Sequence, residues 1–177
     1  MAEAASGLFL RAAEPGDGAA LAALSIEVWL GTYLRRGVSS FFADYVLEAF
    51  TAERFRQLIG EEGERLIVSQ NAEGIDGYIR LTNGCRPPEG PGSAVEIATL
   101  YVQPRHHGRG VGRALLGSGL QICADWGAAA PWLTTNADNL PAIRFYQSEG
   151  FEITGRTHFR IGAEAYPNEI LVYRPAG

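Results

Sequence analysis

The feature that most constrains this chain is the stretch QPRHHGRGVGRALL, residues 103–116, in which alternating glycines precede an apolar run. It follows VEIATLYVQ (95–103), whose β-branched and apolar residues predict a strand. Glycine weakens a helix, yet the residues after Gly112 have helical spacing. Backbone N–H groups at a helix start form an anion site, and glycines keep side chains from blocking it. The pattern therefore predicts a strand, a phosphate-binding turn and a helix over about 110–126.

Arginines placed around the glycines, Arg105, Arg109 and Arg113, would add positive charge suited to phosphate oxygens. The alternative is a glycine-rich turn with a solvated basic face. A dinucleotide-binding turn fits poorly, because Pro104 and three further residues separate the strand from the glycines and Leu115 stands where its third glycine belongs. A Walker-type loop is excluded because all 15 basic residues are arginine and that loop needs a lysine.

Length and charge narrow the class of protein. The 177 residues suit one domain, 1–177, and the net charge of −5 argues against nucleic acid and mildly favours cationic substrates. No stretch approaches the roughly 18 apolar residues of a membrane helix, and the first residues do not resemble a signal peptide, so we expect a cytoplasmic protein with no membrane partner. Cys85, Cys123, His106, His107 and His158 lack metal-ligand spacing, so we expect no metal site.

Apolar periodicity predicts one mixed α/β domain. The predicted strands cover 8–13, 65–70, 77–82, 95–103, 132–135, 151–161 and 169–174. The predicted helices cover about 17–30, 39–50, 51–62, 110–126 and 139–149, with Asp17 and Thr51 as N-caps of the first and third. The second and third strands are joined by a short turn, which predicts a hairpin.

Two segments, EIATLYVQPRHHGRGVGRALL and TTNADNLPAIRFYQSEGF, together resemble the GNAT superfamily of acyl-CoA-dependent N-acetyltransferases. The first resembles the pyrophosphate loop of that family, with its glycines at Gly110 and Gly112. The second resembles the family's later motif at Asn139, Ala142, Phe145, Tyr146, Gly150 and Phe151. The resemblance implies a single-domain fold with a mixed, mostly antiparallel sheet of six to seven strands flanked by helices. It also implies acetyl-CoA as the acyl donor and CoA as the product.

The resemblance assigns acyl-CoA contacts to the loop residues His107, Gly108, Arg109, Gly110, Val111, Gly112 and Arg113. His107 stands where the family has arginine or glutamine, and a neutral imidazole supplies a less constant charge. On the strand, the resemblance makes the Leu100 N–H the oxyanion donor and Val102 the pantetheine partner. Asn139 would cap its own helix and also contact the pantetheine arm.

Acetyl transfer to an amine requires that the amine lose a proton, which costs roughly 4–5 kcal/mol at pH 7 for a lysine-like group. The resemblance makes Glu96 the general base, direct or through water. Strict alternation would put Glu96 on the face of Ala98, Leu100 and Val102, whereas a β-bulge, which the family resemblance suggests, would change that. A buried ion pair with an arginine is the alternative for Glu96. Tyr146 occupies the family's general-acid position, and the alternative is a buried aromatic.

The acceptor is least constrained by the sequence. Two segments more loosely resemble small bacterial acetyltransferases that include polyamine-acetylating members. They contain aromatic and imidazole side chains for an acceptor pocket, namely Trp29, Tyr33, Phe42, Tyr45, His158 and Tyr166; ordinary core packing is the alternative. We expect a small primary amine, with polyamines among the candidates, as substrate. Acetylation of a protein N-terminus or lysine and a non-catalytic acyl-CoA sensor are the alternatives. The fold also allows a homodimer through the C-terminal strands.

Overall fold

The computed structural model describes residues 8–174, and within them one sheet of seven strands carries five α-helices. The strands are β1 (Phe9–Ala12), β2 (Glu64–Gln70), β3 (Ile75–Asn83), β4 (Val95–Val102), β5 (Trp132–Asn136), β6 (Phe151–Ile161) and β7 (Glu164–Tyr173). The helices are α1 (Gly18–Tyr33), α2 (Ser40–Ala49), α3 (Ala52–Gly60), α4 (Val111–Asp125) and α5 (Leu140–Ser148). Each predicted strand and helix is present. The ends of the 1–177 range, 1–7 and 175–177, lie outside the described residues.

The strands are ordered β1-β2-β3-β4-β5-β7-β6, and every neighbouring pair is antiparallel except β4 and β5. The parallel pair needs a crossover, and α4 supplies it. The predicted hairpin is confirmed, since β2 pairs with β3 around Val68 and Tyr78. This architecture confirms the predicted mixed, mostly antiparallel sheet.

The two faces of the sheet bury separate cores. One core packs the sheet against α4 and is formed by Ile79, Leu81, Ile97, Leu115 and Leu133 among others; we call this side the α4 face. The opposite side, the α1 face, packs against α1 and α3 through Leu21, Leu24, Phe55, Val68 and Tyr78. A site at this sheet can therefore include side chains from both faces.

The two predicted N-caps have different outcomes. The Thr51 hydroxyl accepts from the Arg54 N–H at 3.1 Å and caps α3, as predicted. Asp17 precedes α1 but does not cap it with its side chain. Its carboxylate instead accepts from the Glu14 N–H at 2.7 Å and from the Arg11 guanidinium at 2.7 and 2.9 Å. A short 3₁₀ turn over Pro15–Asp17 produces this arrangement, and sequence alone did not separate it from a helix start.

A β-bulge interrupts β4. Ile97 lies opposite Leu81 and Thr99 lies opposite Arg80, which leaves Ala98 without a partner on β3. Ile97 and Leu100 consequently both pack on the α4 face, with two residues between them rather than one. Glu96 therefore lies on the α1 face, and strict alternation with Leu100 and Val102 is wrong. The bulge suggested by the family resemblance is confirmed.

The parallel strands β4 and β5 share a single register pair in the described part of the chain, Glu96 with Trp132. Beyond that pair the eight-residue β4 and the five-residue β5 run without mutual pairing. The sheet therefore has an opening between the C-terminal halves of these two strands. We call it the β4–β5 opening.

Helix α1 approaches α3 closely at Gly18, where an added Cβ would lie 2.6 Å from the Ala52 carbonyl oxygen. We expect Gly18→Ala to lower the free energy of unfolding by roughly 1–3 kcal/mol, because backbone atoms must move to relieve the overlap. Gly31→Ala in the same helix has no atom within 4 Å of its new Cβ and serves as the control. It should be neutral or stabilising by up to about 1 kcal/mol. Urea unfolding measures both, and equal effects would contradict the packing argument.

Candidate active site

The peptide groups of Leu100 and Val102 face the β4–β5 opening. Just past β4, the Gln103 N–H donates to the Asp76 carbonyl of β3 at 2.9 Å. Hydrogen-bonded and non-hydrogen-bonded pairs alternate along an antiparallel ladder. By this alternation Tyr101 bonds to β3, whereas Leu100 and Val102 direct their N–H and C=O groups away from it. The opening is therefore lined by backbone donors and acceptors that β5 does not use.

The glycine turn leads from the end of β4 into α4. Gly108 and Gly110 have φ values of +75° and +83°, which glycine adopts without strain, and Gly110 is the N-cap of the helix. No side chain caps this helix, and in residues 8–174 the N–H groups of Val111, Gly112 and Arg113 have no hydrogen-bond partner. Donors of this kind, at the positive end of the helix dipole, suit a phosphate. The prediction that an anion fits here is thus supported by the geometry.

His107 holds the turn against the strand. Its Nε2 lies 2.9 Å from the Val102 carbonyl oxygen. A carbonyl only accepts, so Nε2 carries the proton and donates in this contact. The residue that replaces the family's arginine or glutamine therefore connects the turn to β4 through a hydrogen bond.

The arginines around the turn are mostly exposed. Arg113 pairs with Glu149 at 2.8 Å, and Arg105 approaches Glu27 at 4.0 Å. Arg109 is also exposed. Their charge is available near the turn, with that of Arg113 partly offset by a carboxylate.

Glu96 is half-buried on the α1 face, at the closed end of the β4–β5 opening. Its Oε2 accepts from the Cys85 thiol at 3.6 Å. The nearby Arg80 forms a two-pronged contact with Glu64 instead, at 2.7 and 3.1 Å. The alternative of a direct Glu96–arginine ion pair therefore does not match the geometry.

Burial raises the pKa of the Glu96 carboxyl above its usual value, and the Glu64 charge adds to that rise. The Cys85 thiol and the Arg80 charge act in the opposite direction on the same pKa. A carboxylate with a raised pKa is a stronger base, which suits proton abstraction near neutral pH.

Tyr146 packs on the α4 face, in the same core as Leu100 and Val102. Its ring packs between Phe145 and Phe151 and is only 8% exposed, in the core under α4. Burial raises the pKa of Tyr146 well above its usual value, so the phenol stays protonated at neutral pH. At the start of the same helix, the Asn139 side chain accepts from the Ala142 N–H at 3.3 Å, which confirms the predicted cap. That bond uses the amide oxygen and leaves the NH₂ group available.

An aromatic cluster lies on the α1 face, where α1 and α2 meet the β6–β7 hairpin. It comprises Trp29, Tyr33, Phe42, Tyr45, Phe159 and Tyr166, with neighbouring rings 4.9–6.3 Å apart. Trp29 is buried at 4% exposure, whereas Tyr33 is 39% exposed. Five of the six side chains predicted for the acceptor pocket therefore lie together, namely Trp29, Tyr33, Phe42, Tyr45 and Tyr166.

His158 does not belong to this cluster. Phe159 faces Tyr45 and pairs across the hairpin with Tyr166, so its neighbour His158 points to the opposite face of the sheet. The structure therefore does not bring His158 together with the other side chains predicted for the acceptor pocket. A period-two pattern could have revealed the difference, but the sequence did not indicate which face held α2.

Two residues near the site were not assigned to it from the sequence. Burial, together with the hydroxyls of Tyr78, Tyr33, Tyr45 and Tyr146, raises the pKa of Tyr101 well above its usual value. The Tyr101 ring packs on the α1 face, 5.9 Å from the Tyr78 ring. Cys85, in the loop before β4, contacts Glu96. No local sequence signal marks either contact, because each depends on the register of β4 and on loop closure.

A groove of about 790 Å³ borders the aromatic cluster at Tyr45. It runs between α2, α3 and the β6–β7 hairpin, and its charged residues are Asp44, Glu48, Glu53, Arg54 and Arg160. In residues 8–174 no cluster of three or more His, Cys, Asp or Glu could hold a metal ion. The same residues include no helix long and apolar enough to cross a membrane.

Residues 29–151, most of this site, match the acetyltransferase (GNAT) family. The chain belongs to the GNAT acetyltransferase family. It is an acyltransferase.

Similar proteins agree with this assignment. An uncharacterized N-acetyltransferase of Mycobacterium bovis is 32% identical over 130 residues, 73% of this chain and 80% of the relative. A peptidyl-lysine N-acetyltransferase of Salmonella typhimurium is 34% identical over 76 residues, 42% of this chain and 48% of the relative. The PaiA N-acetyltransferase of Thermoplasma acidophilum, solved with coenzyme A, superposes with a TM-score of 0.77 at 17% identity. That superposition covers 96% of this chain and 99% of the other.

Proposed function

We propose that this protein transfers an acetyl group from acetyl-CoA to a primary amine of a small molecule. The observation that carries the proposal is the β4–β5 opening. Backbone groups of Leu100 and Val102 face it, the Tyr146 ring packs in the α4-face core with these two residues, and Glu96 lies at its closed end on the α1 face. An acid, a base and fixed backbone donors around one opening are what acyl transfer to an amine requires.

Different residues of the chain would contact the pyrophosphate, the pantetheine arm and the acyl group of acyl-CoA. The free N–H groups of Val111, Gly112 and Arg113 would bind the pyrophosphate, supported by the turn from His107 to Gly110. Val102 and the Asn139 amide would hold the pantetheine arm. Acetyl-CoA supplies the acetyl group as a thioester, and the Leu100 N–H would hydrogen-bond to the acyl oxygen as negative charge develops on it.

Glu96 would accept the amine proton through water. Glu96 and Leu100 lie opposite Thr82 and Ile79, three residue steps apart on β3. That is about 10 Å along the strand, which is more than a glutamate side chain spans. A relay through water therefore suits the geometry better than direct contact. Only Oε2 of the carboxylate contacts the Cys85 thiol, so Oε1 remains available to that water.

Tyr146 would donate a proton to the departing thiolate. Its pKa, raised by burial, keeps the phenol protonated, so it is a donor at the pH where Glu96 is ionised. Separation of a high-pKa donor from an ionised carboxylate is how one site supplies both acid and base.

The acceptor would bind against the aromatic cluster. Aromatic faces attract ammonium groups, and Asp44, Glu48 and Glu53 in the adjacent groove add negative charge, partly offset by Arg54 and Arg160. These features favour a cationic amine and support polyamines as first candidates.

A protein lysine is the alternative acceptor. The Salmonella typhimurium relative is a peptidyl-lysine N-acetyltransferase, and Tyr33 and Phe41 at the edge of the aromatic cluster are exposed. A peptide would need an open surface of that kind, whereas a small amine needs less contact area.

Calorimetric titration with acetyl-CoA, CoA and NADH tests the donor first. Micromolar binding of the two CoA species alone is the expected result. A thiol-release assay with spermidine, other small amines and lysine peptides then tests the acceptor. Binding without turnover on any amine would favour an acyl-CoA sensor, and absence of binding would overturn the proposal.

The backbone at Gly110 generates a prediction for donor binding. We expect Gly110→Val to weaken acetyl-CoA binding about tenfold or more, since a side chain at φ +83° costs roughly 1–2 kcal/mol and stands beside the pyrophosphate donors. Gly117→Val places the same side chain in α4 with no atom within 4 Å, and should bind like the parent protein. Calorimetry compares them, and equal dissociation constants would refute the assignment of the turn.

The role of Tyr146 generates a second prediction. Tyr146→Phe should lower kcat roughly 10- to 100-fold, because the proton donor is lost, while leaving acetyl-CoA affinity nearly unchanged. Tyr173→Phe is the matched control, since both tyrosines pack on Phe151. Steady-state kinetics and calorimetry separate the two effects. A large loss of acetyl-CoA binding in Tyr146→Phe would contradict its role as the acid.

A further inference from the structure

The Cys85 thiol is the hydrogen-bond donor to Glu96 within the described part of the chain, with Sγ 3.6 Å from Oε2. Thiols are weak donors, so an unsupported contact of this kind would mean little. In this protein, hydrogen bonds and packing fix the position of Cys85.

Cys85 is fixed by its surroundings on three sides. Its carbonyl accepts from the Trp132 indole N–H at 2.8 Å, and its own N–H donates to the Ala94 carbonyl at 3.2 Å. Its side chain packs against a small core of Trp132, Ile170 and Val172. Trp132 is also the register partner of Glu96 in the pair that closes the opening. The same residue thus positions both the thiol and the strand that carries the carboxylate.

The Arg80 guanidinium, a cation near Glu96, is bound to Glu64 instead. Arg80 bonds to both oxygens of Glu64, and the Thr82 hydroxyl donates to the same carboxylate at 2.9 Å. Glu64 is buried, which makes this pairing costly to break. Arg80 therefore acts on Glu96 through charge at a distance, and the thiol makes the direct contact.

We propose that Cys85 is a positioning residue for Glu96: its thiol holds one carboxylate oxygen and leaves the other facing the water that carries the amine proton. The kinetic part of this inference rests on the proposed role of Glu96 as the base. The bond itself does not depend on that role.

The groups around Glu96 determine the direction in which loss of the Cys85 thiol changes the Glu96 pKa. Arg80 on β3, Glu64 on β2 and Cys85 on the loop are the titratable or charged groups that act on it, and Trp132 on β5 is neutral. A thiol donates to the ionised carboxylate and stabilises it. Loss of the thiol should therefore raise the Glu96 pKa, so more of the carboxylate is protonated at mildly acidic pH.

The first test observes Glu96 directly. The full-length protein with ¹³C-labelled glutamate carboxyls is titrated by NMR, and Glu96→Gln identifies the Glu96 signal. We expect Cys85→Ala to move the Glu96 midpoint to higher pH. Cys85→Ser retains a hydroxyl donor and should lie nearer the parent midpoint. A Glu96 midpoint unchanged in Cys85→Ala would overturn the proposal, whether or not any amine is acetylated.

The second test measures the pH dependence of kcat/KM for the amine. On the acid side, Cys85→Ala should lower kcat/KM roughly two- to fivefold, the size expected for one weak bond to a charged group. The difference should vanish at higher pH, where Glu96 is ionised in both proteins. Cys123→Ala removes the other cysteine, which lies on α4 and is buried in the α4-face core. Its kcat/KM should fall at low pH as it does in the parent protein.

The outcomes distinguish the two proposals. If kcat/KM still falls at low pH in Glu96→Gln, Glu96 is not the base. The NMR midpoints of Glu96 then still decide whether the thiol contacts it. If the fall of kcat/KM at low pH disappears in Glu96→Gln but is unshifted in Cys85→Ala, Cys85 has no kinetic role. That result leaves the acetyltransfer proposal intact. A uniform loss of activity at every pH in Cys85→Ala would indicate a structural role and overturn positioning.

Discussion

The separation of β4 from β5 after the Glu96–Trp132 pair is the constraint on which the site depends. A fully paired parallel ladder would use the Leu100 and Val102 peptide groups, and the sheet would have no polar backbone to offer a ligand there. The α4 crossover adds to this effect. Because α4 begins just after β4 ends, its uncapped N-terminus lies at the open end of the same strand. One topological feature thus brings together the strand donors and the helix donors.

The bulge at Ala98 has a separate consequence. It turns Glu96 toward the α1 face while Leu100 and Val102 pack their side chains toward α4. The residues proposed as base and acid consequently come from opposite sides of the sheet, with Tyr146 from the α4 core. The aromatic cluster lies with Glu96 on the α1 face, so an acceptor there would approach from the side opposite α4.

Charge pairing on the sheet explains why Glu96 has an unusual neighbour. Each of several arginines is held by a carboxylate at short distance: Arg80 by Glu64, Arg11 by Asp17 and Arg156 by Glu169. Glu96 is left with partial burial, which raises its pKa, and with a thiol donor, which offsets only part of that rise. A direct arginine partner would hold that pKa down and make Glu96 a weaker base.

The sequence by itself determined the elements and the family. Apolar periodicity located the seven strands and five α-helices of residues 8–174, and the glycine turn and the Asn139–Phe151 motif indicated acyl-CoA chemistry, because these signals are local along the chain. Tertiary structure decided which side chains meet. One unpaired residue, Ala98, reversed the face of Glu96, and the position of α2 excluded His158 from the aromatic cluster. The Cys85–Glu96 contact and the Arg80–Glu64 pair depend on loop closure and strand register. Both are set by the packing of distant segments, which a local pattern of residues does not encode.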